Sequence, residues 1–195
     1  MGDTRVDVLE MREFLDDGAR AELVEELGRA HGAAATVTGG RSAGAAVEHA
    51  VRRTTKVQVP DETRARVKAR LMESKPALEA HFGVALSECE APQFLRYEEG
   101  DFFVAHQDGN TSVIHDDTRH RRVSAVVFLS PRTDEPTPGA YGGGELTFHG
   151  PYPRVNDRIP APCDPGTLVA FRSETTHEVT PVAHGVRYTI VTWFR

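Results

Sequence analysis

Apolar positions recur at helical spacing in the first half of the chain and alternate in the second. Between Ala19 and Ala30, the residues Ala21, Leu23, Val24 and Leu27 make an apolar stripe, the mark of a helix with one buried face. Asp16 or Asp17 precedes it, and either carboxylate can cap the free N–H groups of the first turn. Lys56–Val59 (KVQV) alternates as a short strand does. Pro60-Asp61 then opens a second helix that turns Val67, Leu71 and Leu78 toward a core. That helix breaks near Pro76, because proline lacks an N–H and crowds the preceding turn. The small residues of Gly39–Ala46 (GGRSAGAA) offer little to anchor, which predicts a loop or mobile flap.

The pattern changes near Pro92. Short runs rich in β-branched and aromatic residues follow: Gln93–Tyr97, Phe102–His106, Val123–Ser130, Glu145–His149, Thr167–Arg172 and Arg187–Phe194. Turn-formers divide them, among them Gly142–Gly144 and the proline-rich stretch Pro151–Pro165. Helices first and strands second predict a mainly β protein with N-terminal helices (α+β), an antiparallel sandwich or jelly roll with helical buttresses. Residues 1–90 are the expected helical support region and 91–195 the jelly-roll core of a single domain. The polar connections Gly109–His120 and Arg132–Tyr141 have the length of functional or moving loops.

Charge narrows the function classes. The 195 residues carry 23 basic and 29 acidic side chains, a formal charge of −6, where a general nucleic-acid binder is normally basic. Arg52-Arg53 and Arg119–Arg122 are short basic clusters, and Asp116 and Asp117 can pair locally with the second. Cys89 and Cys163 stand in no metal or redox spacing and suit a reducing compartment. The N-terminal stretch mixes acids and bases unlike a signal peptide, and no run nears the ~20 apolar residues that cross a bilayer. A cytoplasmic location is expected, with no membrane partner.

The candidate chemistry begins at His106-Gln107-Asp108, at the end of a predicted strand. Residues two apart on a strand share a face, so His106 and Asp108 can converge. They supply two members of the 2-His-1-carboxylate set that leaves iron positions open. His115-Asp116-Asp117 repeats the spacing, but in a polar loop without a rigid strand beneath it. His177, soon after the apolar run ending at Phe171, is the preferred third ligand, and His149 competes with it. His31, His49 and His81 read as surface or packing residues. Arg187 lies inside an apolar strand, where a guanidinium is costly unless an anion meets it. An internal acid or an outward-facing position would explain it equally well.

Taken in order, these residues resemble the prolyl 4-hydroxylase-like Fe(II)/2-oxoglutarate-dependent dioxygenases. The resemblance rests on Tyr97…Gly100…His106-Gln107-Asp108, Arg122-Val123-Ser124…Phe128-Leu129-Ser130 and Gly143-Gly144-Glu145-Leu146. It continues through Pro165–Phe171, His177-Glu178-Val179 and Gly185-Val186-Arg187. It implies a double-stranded β-helix of cupin-like jelly-roll form, with Fe(II) held by His106, Asp108 and His177. It also implies that Arg187 binds the distal carboxylate of 2-oxoglutarate and that Tyr97 contacts the same co-substrate. Dioxygen would be consumed, with ascorbate as an accessory reductant, and an aliphatic C–H of a prolyl or other amino-acid side chain hydroxylated. The substrate is then a peptide, an amino acid or another small molecule, and succinate and CO2 are released. Phe128 stands where hypoxia-sensing prolyl hydroxylases carry a tyrosine, which removes one hydroxyl from that pocket. The competing classes are a non-catalytic cupin-like binding module and a nucleic-acid dealkylase of the same superfamily.

Overall fold

The computed structural model describes residues 6–35, 51–111 and 116–195. Gly39–Ala46, His49 and His115 lie outside the described residues. In chain order the elements are β1 (Val8–Met11), α1 (Asp17–Arg29), β2 (Gly32–Ala34), β3 (Arg52–Arg53), β4 (Thr55–Val57), α2 (Asp61–Glu73) and α3 (Lys75–Phe82). Then come β5 (Gln93–Tyr97), β6 (Phe102–His106), β7 (Val123–Phe128), β8 (Tyr141–Gly143), β9 (Leu146–His149) and β10 (Arg158–Pro160). The remaining strands are β11 (Leu168–Arg172), β12 (His177–Val179), β13 (Val182–Gly185) and β14 (Arg187–Phe194).

The helices form where the pattern places them. Asp16 caps α1, its Oδ1 accepting from the Ala19 N–H at 2.8 Å. Leu23 and Leu27 are buried with Val24 packed beside them. Ala21, expected in that stripe, is exposed, because positions two apart on a helix face different sides. The predicted break falls at Ser74, whose hydroxyl donates to the Leu71 carbonyl at 2.6 Å. Pro76 sits in the first turn of α3, where its missing N–H costs no helical bond.

A seven-stranded sheet in the order β1-β11-β7-β14-β5-β4-β2 faces a five-stranded sheet, β10-β9-β12-β6-β3, and β13 pairs with β8. β14 lies between β7 and β5 and pairs antiparallel with both. Strand alternation divides the large sheet between two environments. Val123, Ala125, Val127, Ile190 and Phe194 face a core shared with the helices. Val126, Phe128, Val169 and Phe171 face Leu146 and Phe148 of the opposing sheet. Two facing antiparallel sheets with helices on one outer face make the expected jelly roll.

The predicted bounds of β5, β6 and β14 match the structure, and those of β7, β9 and β11 shorten slightly. The Lys56–Val59 strand shifts to Thr55–Val57, although Val57 and Val59 are both buried. Strands β1, β2, β3, β8, β10, β12 and β13 were not foreseen. Within the Gly109–His120 connection, Asp117–His120 forms a single 3-10 turn capped by Asp116.

Candidate functional site

Neighbouring strands of the smaller sheet bring the two histidines together. His106 ends β6, His177 begins β12, and the two are register partners. Asp108 lies just past β6, where its N–H and that of Gly109 donate to the Ser173 carbonyl at 2.9 and 3.1 Å. A Cβ on Gly109 would sit 2.2 Å from the Thr118 carbonyl oxygen, so only glycine lets this turn close. His106, Asp108 and His177 thereby offer ligand atoms all within 4.8 Å of one another. The Asp108 Oδ1 lies 3.6 Å from His106 Nε2, and its Oδ2 lies 3.5 Å from His177 Nε2.

Hydrogen bonds fix the orientation of each donor. Each Nδ1–H donates to a carbonyl: His106 to Val104 at 2.8 Å, His177 to Thr175 at 2.9 Å. Both Nε2 lone pairs are thus left for an ion, the arrangement that supporting hydrogen bonds enforce in metal sites. The Ser124 hydroxyl donates to Asp108 Oδ2 at 2.7 Å and lies 3.0 Å from the Ser173 hydroxyl. Phe103 stacks on His106 at 3.6 Å, and Phe171 meets His177 edge-on at 4.7 Å.

Burial pushes the Asp108 carboxyl upward, but His177, His106 and the Trp193 indole hold it well below the usual carboxylate range. Burial and the nearby His106 push His177 down to about 4, against the opposing pull of Asp108. At neutral pH the carboxylate is ionised and this imidazole neutral, the states a cation requires of its ligands.

The same cavity runs to Arg187. Alternation along β14 explains its wall, since Arg187, Thr189, Val191 and Trp193 all line it. Arg187 is 2% exposed, and its Nη1 donates only a long 3.4 Å bond to the Thr189 hydroxyl. Among the described residues it has no carboxylate partner, and its Nε has no hydrogen-bond partner. The rings of Tyr97, Phe128 and Tyr141 surround the guanidinium, with centroids 5.0, 5.3 and 6.0 Å from Cζ. A buried cation without a counter-charge, at one end of a cavity whose other end is a metal-ligand set, fits a carboxylate-bearing chelator. Both groups implied by the resemblance therefore find suitable residues.

All five expected site residues line this one cavity: Tyr97, His106, Asp108, His177 and Arg187. Tyr97 is the register partner of Arg187 across β5 and β14. His149 is excluded by strand parity. Phe148 is the register partner of His177 and points into the core, so His149 points away and meets Glu178 at 3.5 Å. His31 is exposed, and His81 bonds Asp7 at 2.9 Å. Sequence reasoning missed Ser124, Thr189, Trp193 and Tyr141. Parity along the strands from Arg187 and Val126 would have found the first three.

The sequence profile of the 2OG-Fe(II) oxygenase superfamily matches residues 92–195. A PKHD-type hydroxylase from Paracoccus denitrificans is 38% identical over 104 residues, 52% of this chain and 41% of that protein. One from Shewanella oneidensis is 34% identical over 104 residues, 53% of this chain and 42% of its own length. The chain thus aligns with less than half the length of these relatives. A prolyl-4-hydroxylase from Pseudomonas putida shares the fold with a TM-score of 0.66 at 23% identity, over 97% of this chain and 92% of its own. So does a Trichoplax adhaerens prolyl hydroxylase in complex with a hypoxia inducible factor peptide fragment, with a TM-score of 0.68 at 16% identity over 96% and 83%. With the matched region spanning both ends of the cavity, the chain belongs to the 2OG-Fe(II) oxygenase superfamily.

Proposed function

We propose that this chain is an Fe(II)- and 2-oxoglutarate-dependent dioxygenase that hydroxylates an aliphatic C–H. Its substrate is a prolyl or other amino-acid side chain in a peptide or small molecule. The observation that carries the reading is one cavity with a His/Asp/His cluster at one end and, at the other, a buried arginine with no carboxylate partner among the described residues. His106, Asp108 and His177 would hold Fe(II), and Arg187 the distal carboxylate of 2-oxoglutarate, with Tyr97 beside it. Iron and co-substrate, when bound, supply the oxidising chemistry: dioxygen gives one oxygen atom to the substrate and one to succinate, with loss of CO2.

The chain's own residues position and protect. Ser124 and the indole of Trp193 orient Asp108, so one carboxylate is presented in a fixed direction. The guanidinium fork suits a carboxylate in two-point contact. Apolar walls at Leu95, Val126, Leu146 and Val191 exclude water from the reacting end. The division into a helical support and a jelly-roll core at residue 90 belongs to the same proposal. So does a cytoplasmic location, supported by free thiols at Cys89 and Cys163.

The test is succinate release from 2-oxoglutarate with Fe(II) and air, with and without ascorbate, screened against proline-containing peptides, free amino acids and other small molecules. The expected result is iron-dependent succinate together with a product heavier by one oxygen atom. Binding of metal and co-substrate with no succinate in any condition would favour the cupin-like binding module.

A further inference from the structure

The basic dipeptide Arg52-Arg53, noted in the sequence for its charge, is divided by the strand it forms. Successive strand residues face opposite sides. Arg53 turns outward, and its Nε lies 3.6 Å from the Asp101 carboxylate. Arg52 turns inward, 8% exposed, and lines the cavity. Pairing of β3 with β6 sets Arg52 opposite Phe103. The guanidinium Cζ lies over that ring, 4.7 Å from its centroid, and the same ring stacks on His106. The Thr54 hydroxyl then donates to the Arg96 carbonyl at 2.9 Å, and the chain enters β4 of the opposite sheet. Arg52 thus sits where the chain steps between the sheets, two ring contacts from a candidate metal ligand.

We propose that Arg52 is a specificity-determining residue that binds a carboxylate of the substrate and selects acids over their neutral analogues. The inference rests on the reading of this cavity as the reaction site. There the charges of the reaction balance without Arg52: Fe(II) and Arg187 meet Asp108 and the two carboxylates of 2-oxoglutarate. Among the described residues Asp108 is the only acid lining the cavity, and Arg52 adds a second arginine to its wall. A guanidinium has several N–H donors, so bonds made outside the cavity still leave donors to face it. Its planar fork matches a carboxylate, and apolar walls at Leu95, Phe103 and Val179 accept the carbon skeleton that carries one. Lys56 of β4 feels the same positive field: burial, Arg64 and Arg52 together hold its ammonium below the usual lysine value. The position suits a carboxylate a few bonds from the C–H that faces the metal ligands. Such a group is the α-carboxylate of a free amino acid, or an acidic side chain next to the reacting residue of a peptide.

Calorimetry under argon on the protein loaded with Mn(II) and 2-oxoglutarate tests this with matched pairs. L-Proline and L-leucine are compared with their primary amides, and acetyl-Ala-Pro-Glu-amide with acetyl-Ala-Pro-Gln-amide. Each pair differs only in the carboxylate, and the pairs separate the free from the peptide source. In at least one pair the acid should bind about 10-fold tighter than its neutral partner. Arg52→Met should abolish that preference while 2-oxoglutarate affinity stays within about twofold, and Arg52→Lys should restore part of it. Arg52→Gln repeats the measurement if the methionine variant does not fold. No preference for the acid in any pair, or a preference that survives the loss of Arg52, overturns the inference. Weakened 2-oxoglutarate in Arg52→Met would assign the residue to the co-substrate and overturns it too. Both of those results leave the underlying reading standing. If the Mn(II) protein does not bind 2-oxoglutarate at all, that reading fails and takes this inference with it.

Discussion

The two ends of the cavity are built on opposite principles. At the His/Asp/His end the supporting hydrogen bonds are already made: two imidazole N–H groups on carbonyls and a serine on the carboxylate. At the Arg187 end, among the described residues, the guanidinium Nε is buried without a hydrogen-bond partner. A bare ion brings no directional groups of its own, so the protein must supply direction beforehand. A dicarboxylate brings its own acceptors, so the protein can leave donors open and let the ligand complete them. On the proposed reading, one end is preorganised and the other is completed by what binds.

The largest expected effect comes from removing a ligand atom. His177→Ala should lower divalent-metal affinity beyond the ~10–100-fold that loss of a supporting hydrogen bond produces. Mn(II) titration followed by electron paramagnetic resonance measures it, and retained affinity would break the metal assignment. Next, Arg187→Ala should weaken 2-oxoglutarate by roughly 10–150-fold with metal affinity unchanged. Arg187→Lys should recover part of the loss, since a point charge replaces a fork. Charge-transfer absorbance of the anaerobic Fe(II) protein reads both variants. A fall in metal affinity in either would mean that the two ends are coupled.

Smaller changes sharpen the contrast. Ser124→Ala removes a supporting donor only and should cost metal affinity about 10-fold. His177, lowered from 6.5 to about 4, gives a pH signature in the metal-free protein. Between those values the unfolded chain binds more protons at this histidine than the folded one. Its contribution to stability is therefore complete above pH 6.5 and lost as pH falls toward 4. Melting temperatures across that window should fall less steeply in His177→Gln. Asp117→Ala, in the second copy of the HxD spacing, should leave metal affinity within about twofold, the scatter of an ordinary surface change.

Much of this was legible because period-two patterning is local. β5, β6 and β14 read directly, and they carry Tyr97, His106 and Arg187. The strands that escaped are defined by their neighbours rather than their own residues. Arg52–Arg53 and Gly32–Ala34 have no strand-like composition and form only because β6 and β4 offer open edges. Tyr141 was hidden for a related reason. The run Tyr141-Gly142-Gly143-Gly144 reads as a turn, and only the close approach of β13 makes it a strand. His177 was favoured over His149 because it follows the apolar run ending at Phe171; parity on paired strands turns His149 away from the other two ligands.

The central place of β14 has a kinetic consequence. Although it follows every other described strand in the chain, it fills the middle of the large sheet between β5 and β7. Pairing so far apart in sequence is slow, because the intervening loops must close before contacts repay the lost entropy. All three metal-binding candidates precede it, whereas Arg187 is its first residue. During synthesis the three candidate metal ligands emerge first, and the Arg187 wall of the cavity forms only when β14 inserts. On the proposed function, a chain interrupted between the two stages would have the residues to hold an ion and no means of gripping the dicarboxylate that makes the ion useful.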